Sequence, residues 1–193
     1  MTADSIEKCV EQAILGGCTV VQLREKNASS NDFFQTALRV RKITASLGIP
    51  LIINDRADIA LAVDADGLHI GQDDLPYEAA RRILGQDKII GISTHNLTEA
   101  KNAALMGADY IGVGAMFATG TKTDVSPTGI DELRRICEAV KIPIVAIGGI
   151  NKKNVSLLNN TGIDGIAVAS AIVAEQDAMN AARELKSLFQ GGF

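Results

Sequence analysis

Short apolar runs recur along this chain, and a cluster of polar residues follows most of them. Segments with apolar residues at helical spacing lie between the runs, and a glycine often precedes the next run, where it is expected to end a helix. Nearly continuous apolar strands are typical of a parallel sheet that helices cover on both faces. Because the carboxyl ends of parallel strands meet at one edge of a sheet, the polar clusters are predicted to form one shared site. The clusters are Gln22-Leu23-Arg24-Glu25-Lys26, Asn54-Asp55, Gln72-Asp73-Asp74, Thr121-Lys122-Thr123 and Gly148-Gly149.

The repeated strand and helix pattern predicts one α/β domain over residues 1–193 with the fold of a (β/α)8 TIM barrel. An open doubly wound sheet would gather its ligand residues at one switch point, whereas here nearly every strand carries polar residues at its end. The first of the eight strands is predicted to be missing or very short, because a helix over residues 5–15 begins the pattern. The predicted strands are 19–23, 50–53, 68–70, 89–92, 110–113, 143–147 and 165–169, and the other predicted helices are 30–46, 56–63, 76–84, 97–106, 130–140, 151–160 and 177–190.

Composition and charge argue against several classes of protein. A net charge of −4 and a pI near 5.2 disfavour general nucleic-acid binding, which needs a basic face. No apolar run approaches the roughly 18–20 residues of a membrane span, and the N-terminus is too acidic and too polar for a signal peptide. Cys9, Cys18 and Cys137 follow no metal-binding spacing and are expected to be buried free thiols. These features together predict a cytoplasmic protein.

Gln22, Arg24 and Lys26 alternate at the end of the first visible strand, so their side chains are expected to point the same way. An arginine guanidinium group, which can donate two parallel hydrogen bonds, and a neighbouring lysine ammonium group together can bind a diphosphate. A solvated strand end, with Glu25 as the salt partner, is the alternative. The position at the predicted active edge favours diphosphate binding.

Asp55 and Asp74 follow two adjacent strands of the predicted sheet. Mg²⁺ usually takes one or two protein carboxylates together with phosphate oxygens of the substrate. Both residues also precede helices, so helix N-capping explains them equally well when the pair is taken alone. The basic residues predicted nearby favour metal binding.

Three further segments carry polar residues. The loop over residues 119–129 combines hydroxyls, a lysine and glycines, and it is predicted to be either a lid over an anion or a plain connection. Gly148-Gly149 and Ala169-Ser170 end the last two strands, where barrels usually bind phosphate. His69 is predicted to lie in the core or behind the site, whereas His95 is equally compatible with a structural role and a substrate contact. No strand carries a central lysine, which argues against Schiff-base chemistry.

As a set, these segments resemble the thiamine phosphate synthase family over nearly the whole chain. The resemblance implies a Mg²⁺-dependent transferase that condenses two small molecules, hydroxymethylpyrimidine diphosphate and thiazole phosphate, into thiamine phosphate and pyrophosphate. It does not determine whether the protein forms a homo-oligomer. The segments that carry the resemblance are Val21–Lys26, Ile53–Arg56, Gly67–Asp74, Gly91–Ser93, Gly112–Gly114, Thr119–Lys122 and Ala146–Ile150.

The resemblance also implies a role for each matching residue. Asp55 and Asp74 would carry Mg²⁺. The pyrimidine diphosphate would be held by Gln22, Arg24, Lys26, Asn54, Ser93 and Lys122, of which Arg24, Lys26, Ser93 and Lys122 would take part in catalysis. The thiazole phosphate would be bound by Thr119, Thr121, Gly149, Ala169 and Ser170. The implied reaction is a dissociative substitution in which the thiazole nitrogen attacks a methylene cation on the pyrimidine, without a strong general base.

Two alternatives remain for the function. The first is a thiazole tautomerase, the paralogous branch, which carries a histidine after the strand that corresponds to 110–114. This chain has Ala115 there and keeps Asp55, Asp74 and Lys122, so the tautomerase is disfavoured. The second alternative is a non-catalytic protein that binds thiamine phosphate. A pure binding protein needs no metal pair, which favours the synthase.

Overall fold

The computed structural model describes residues 3–118 and 128–189, with side chains from residue 6 onward. It shows an α/β fold in which seven strands follow one another in chain order and alternate with helices. The strands are β1 (Val21–Leu23), β2 (Leu51–Asn54), β3 (Gly67–Ile70), β4 (Ile89–Thr94), β5 (Tyr110–Val113), β6 (Ile144–Ile147) and β7 (Gly165–Ala167). The α-helices are α1 (Ala3–Leu15), α2 (Ser30–Ser46), α3 (Ala57–Ala62), α4 (Tyr77–Leu84), α5 (Leu97–Met106), α6 (Ile130–Ala139), α7 (Ser170–Val173) and α8 (Ala178–Leu188), and a 3₁₀ helix covers Val155–Leu158.

The chain divides into two compact units, which we describe separately. The first contains the residues up to Ile90 together with Gln176–Arg183. Its strands β1, β2 and β3 pair in parallel, with Gln22 opposite Ile52 and Asn54 opposite His69. The side chain of Ser29 accepts a hydrogen bond from the backbone N–H of Asp32 and begins α2, whose apolar face is buried. The core of this unit includes Phe33, Val40, Leu51, Ile53 and Leu68, each at most 1% exposed.

The second unit contains Gly91–Glu175 and the residues from Glu184 onward. Strand β5 pairs in parallel with both β4 and β6, and β6 pairs in parallel with β7. Gly107 ends α5 in the left-handed conformation, with φ at +93°, which glycine adopts without a steric penalty. The core includes Ile111, Val113, Leu133, Ile136 and Leu158, all fully buried.

The seven predicted strands are confirmed, and the first helix begins two residues earlier than predicted. Ala3 and Asp4 belong to α1, so no strand precedes this helix within the described residues. A complete (β/α)8 barrel is therefore not established by these strands. What the structure establishes is the coarser architecture, an α/β fold with a parallel sheet. The assignment of residues 1–193 to one domain stays a prediction.

One predicted helix is wrong, and one short helix was not predicted. Residues 151–160 form only the short 3₁₀ helix, because Asn151 and Asn154 bond to nearby backbone groups instead of extending a helix. The backbone N–H of Asn151 donates to Asn154 Oδ1 at 2.8 Å, and that of Lys153 donates to Asn151 Oδ1 at 2.9 Å. The four-residue helix α7 was not predicted from the sequence.

The remaining expectations concern cysteines and membranes. Cys9, Cys18 and Cys137 are free thiols, as predicted, but they are half-buried rather than buried. Burial raises the pKa of Cys137 to about 11, which leaves its thiol protonated at neutral pH. Among the described residues, no helix combines the length and the apolar character needed to cross a membrane.

Candidate active site

Asp55 and Asp74 come together in the first unit. Asp55 directly follows β2 in the left-handed conformation, with φ at +65°, and its backbone N–H donates to the carbonyl of His69 at 2.8 Å. Asp74 lies in the turn after β3, where its Oδ2 accepts the backbone N–H of Gly71 at 2.7 Å. The two carboxyl groups share a hydrogen bond. The sequence-based expectation that these residues meet at adjacent strand ends is thus met in the first unit.

The environment of Asp55 disfavours a second negative charge. Burial, together with the hydrogen bond to Asp74 and the negative charge of Asp74, raises the pKa of Asp55 to about 6, although Arg24 and Lys26 act in the opposite direction. Two carboxylates at hydrogen-bond distance repel each other unless a proton or a cation lies between them. The pair is therefore suited to a divalent cation, which would take the place of the shared proton.

The donor set of this pair fits Mg²⁺. Within residues 3–118 and 128–189, no group of three or more histidine, cysteine, aspartate or glutamate side chains could hold a metal ion. A site of two carboxylates is sufficient for Mg²⁺, because this ion usually keeps several waters and takes further oxygens from substrate phosphates.

Helix capping, the alternative explanation for the two aspartates, is wrong. Helix α3 begins after Arg56 and α4 after Pro76, and neither of these N-cap positions makes a side-chain cap hydrogen bond. Asp55 and Asp74 each lie outside the N-cap position, and their carboxyl groups bond to each other.

Four of the predicted diphosphate ligands belong to the first unit, as does this pair. Arg24 and Lys26 follow β1, are exposed, and place their positive charges close enough to lower the pKa of Asp55. Gln22 is exposed on β1. Asn54 ends β2, is 7% exposed, and lies next to Asp55 in the chain. The first unit therefore combines two positive side chains, two carboxyls and two amides.

His69 lies in the core beside this group, as the sequence predicted. It is 4% exposed, and burial lowers its pKa to about 4, against the opposing effect of the charge of Asp74.

The second unit contains a backbone turn at Gly148-Gly149. Gly148 and Gly149 have φ angles of +99° and +67°. A Cβ on Gly149 would lie 2.7 Å from the carbonyl oxygen of Phe117 and 2.8 Å from that of Ala118. The carbonyl of Gly149 accepts hydrogen bonds from the side-chain amides of Asn151 and Asn154, at 3.0 and 2.9 Å. Sequence reasoning assigned no role to the side chains of these two asparagines, although asparagines shortly after a glycine pair are a signal for a turn.

The other predicted residues of the second unit lie at strand ends. Ser93 is half-buried near the end of β4, opposite Gly112 of β5. Ala169 is the N-cap residue of α7, its carbonyl accepts the N–H groups of Ile172 and Val173, and Ser170 begins the helix. Thr119, Thr121 and Lys122, and with them the predicted lid, lie outside the described residues.

Comparison with known proteins identifies the family of this chain. The sequence model of the thiamine monophosphate synthase family matches residues 1–172. A thiamine-phosphate synthase of Clostridium botulinum is 57% identical over 98% of this chain and 89% of its own length. The enzyme of the same name from Clostridium beijerinckii is 56% identical over 98% of this chain and 90% of its own length. A thiamine phosphate pyrophosphorylase structure from Pyrococcus furiosus superposes with a TM-score of 0.88 at 42% identity, covering 94% of this chain and 88% of that one.

Proposed function

This chain belongs to the thiamine monophosphate synthase family, and we propose how its residues carry out the transferase reaction of that family. It is a thiamine-phosphate synthase. Its proposed substrates are 4-amino-5-hydroxymethyl-2-methylpyrimidine diphosphate and thiazole phosphate, and its proposed products are thiamine phosphate and pyrophosphate.

The observation that carries this proposal is the Asp55–Asp74 pair within reach of the charges of Arg24 and Lys26. Asp55 and Asp74 hold Mg²⁺, which when bound supplies positive charge to the leaving diphosphate. Arg24 and Lys26 bind the same diphosphate from the protein side. Gln22, Asn54, Ser93 and Lys122 complete the contacts to the pyrimidine diphosphate.

The thiazole phosphate binds to residues of the second unit in this proposal. The positive φ angles of Gly148 and Gly149 support a turn whose backbone N–H groups can bind an anion. Ala169 and Ser170 contribute backbone N–H groups and a hydroxyl near the start of α7. Thr119 and Thr121 contribute two further hydroxyls.

The proposed reaction begins with cleavage of the bond between the methylene carbon and the diphosphate oxygen. The bonding electrons leave with pyrophosphate, and Arg24, Lys26 and Lys122 stabilise the charge that develops there. The electron-rich aminopyrimidine stabilises the resulting methylene cation. The lone pair of the thiazole nitrogen then forms the new carbon–nitrogen bond. This nitrogen carries no proton, so no general base is required, in keeping with the buried, weakly basic imidazole of His69.

We test the proposal by incubating the purified protein with both substrates and Mg²⁺, then measuring thiamine phosphate and pyrophosphate. Equimolar formation of both products, abolished by EDTA and restored by Mg²⁺, is expected. Failure to form thiamine phosphate while the product still binds would instead identify a non-catalytic binding protein. Tautomerase activity is not expected, because Ala115 follows β5 where that branch has its histidine.

We also propose that the fold is a (β/α)8 barrel, formed as one domain over residues 1–193. The seven strands in chain order and the alternating helices support this proposal. Light scattering coupled to size-exclusion chromatography will establish whether the protein is a homo-oligomer.

A further inference from the structure

A hydrogen-bonded hub centred on Glu99 lies just beyond Ser93 in the second unit. Oε2 of Glu99 accepts the backbone N–H of His95 at 2.8 Å and contacts the ring Nδ1 of His95 at 2.9 Å. Oε1 accepts the side-chain amide of Asn96 at 2.6 Å. Asn96 in turn caps α5, since its side-chain oxygen accepts the backbone N–H of Glu99 at 3.0 Å. The carboxylate of Glu99 thus contacts three hydrogen-bond donors from two consecutive residues.

The protonation of this hub follows from its geometry. A carboxylate can only accept hydrogen bonds, so the proton of a neutral His95 ring lies on Nδ1, which faces Glu99. Burial opposes ionisation of Glu99, but the hydrogen bonds from His95 and Asn96 prevail and hold its pKa below the usual value. Hydrogen bonds to a charged, partly buried acceptor are stronger than neutral ones.

The hub connects the end of β4 to two neighbouring segments. The carbonyl of His95 accepts the hydroxyl of Thr128 at 3.2 Å, and the backbone N–H of Thr128 donates to the carbonyl of Ala115 at 2.8 Å. Thr128 is 5% exposed. One residue before His95, the carbonyl of Thr94 accepts the N–H of Gly114 at 3.2 Å. The backbone that follows Ser93 is therefore held from the side of β5 and from the side of α6.

We propose that His95 and Glu99 are positioning residues that fix the exit of β4 and so hold Ser93 in place for the pyrimidine diphosphate. This inference rests on the proposed function of Ser93. Ser93 and His95 are two positions apart, with only Thr94 between them, which is about 6.6 Å along an extended backbone. Loss of the Nδ1–carboxylate bond would let the strand end shift, and small shifts of a positioned group reduce the rate of reaction.

The experiment measures steady-state kinetics for both substrates with His95→Ala, His95→Asn and His95→Gln. The amide nitrogen of Asn takes the place of Nδ1, whereas that of Gln takes the place of Nε2. We expect His95→Ala to lower kcat/KM for the pyrimidine diphosphate about tenfold, the effect of one charge-assisted hydrogen bond. KM for thiazole phosphate should stay within about twofold of its original value. His95→Asn should restore most of the loss, and His95→Gln should not.

Further variants separate this inference from the proposed function and from simple unfolding. Glu99→Gln should resemble His95→Ala, whereas Glu138→Gln, on the exposed face of α6, should behave as the unmodified protein. Ser93→Ala should lose activity toward the pyrimidine diphosphate. If Ser93→Ala is impaired but the His95 variants are not, the positioning role is wrong and the function of Ser93 stands. If Ser93→Ala keeps full activity toward the pyrimidine diphosphate, the proposed role of Ser93 and the positioning role of His95 and Glu99 are both wrong.

Two other outcomes would also overturn the positioning role. Rescue by His95→Gln but not by His95→Asn would show that Nε2 contacts the substrate directly. A purely structural role would be shown if kcat/KM fell equally for both substrates and in proportion to the fraction of folded protein, measured by circular dichroism. Restoration of activity by His95→Asn at a similar thermal midpoint is the result that supports the inference.

Discussion

Replacing Gly149 by alanine should destabilise the second unit and weaken the binding of thiazole phosphate. The φ angle of Gly149 is +67°, a conformation that costs a residue with a Cβ roughly 1–2 kcal/mol. The new Cβ would lie 2.7 Å from the carbonyl oxygen of Phe117 and 2.8 Å from that of Ala118. These are backbone atoms, so no change of rotamer relieves the overlap, and overpacking of this kind costs typically about 1–3 kcal/mol. The expected loss in the free energy of unfolding is therefore about 2–5 kcal/mol.

Gly48 offers a matched control for this substitution. Its φ angle is also +67°, but a Cβ there would have no atom within 4 Å. Gly48→Ala should lose only the backbone contribution of roughly 1–2 kcal/mol and should bind thiazole phosphate normally. The chain has no tryptophan, so urea unfolding is best followed by far-ultraviolet circular dichroism, and thiazole phosphate binding by calorimetry. Equal destabilisation by the two alanines would refute the steric argument, and unchanged binding of thiazole phosphate by Gly149→Ala would refute the role of this turn in binding.

Three further predictions concern the first unit. Asp55→Ala should lower turnover at least a hundredfold through loss of charge stabilisation, with thiazole phosphate binding nearly intact; equal loss of both would count against the metal assignment. In metal-free protein, the neutral, buried His69 should contribute stability above its unfolded pKa of about 6.5. That contribution should fall as the pH drops toward its folded pKa of about 4, because the unfolded chain then binds a proton that the folded one does not; a His69→Asn variant with the same pH dependence of urea unfolding would disprove this. Asp66→Ala should lower the free energy of unfolding in urea by about 2–3 kcal/mol and leave kcat unchanged. Asp66 Oδ2 accepts hydrogen bonds from Arg41 Nη1 at 2.6 Å and from the N–H of Leu51 at 2.7 Å, far from the carboxyl ends of the strands. A loss of kcat without a loss of stability would contradict this structural role.

Sequence reasoning succeeded where neighbours along the chain decide the structure. The strands were recognised because their apolar residues are consecutive and are buried, as in β2 and β3, where every residue is buried. The meeting of Asp55 and Asp74 was predictable because the residues that follow adjacent parallel strands lie at the same edge of a sheet. The prediction failed for residues 151–160, where local side-chain bonds of Asn151 and Asn154 compete with helical ones.

The sequence by itself was sufficient for the order of the strands, the residues at their ends, and the family. It favoured a metal site over helix capping for the two aspartates, and it left open whether His95 is structural. Tertiary structure excluded capping and supplied the contacts of His95, because both depend on backbone dihedral angles and on distances of a few ångströms. Asp55 takes a positive φ that turns it away from capping, and Glu99 binds the backbone and the ring of His95 together. The apolar pattern of a sequence specifies which face is buried, but hydrogen-bond geometry is set only once the elements have packed.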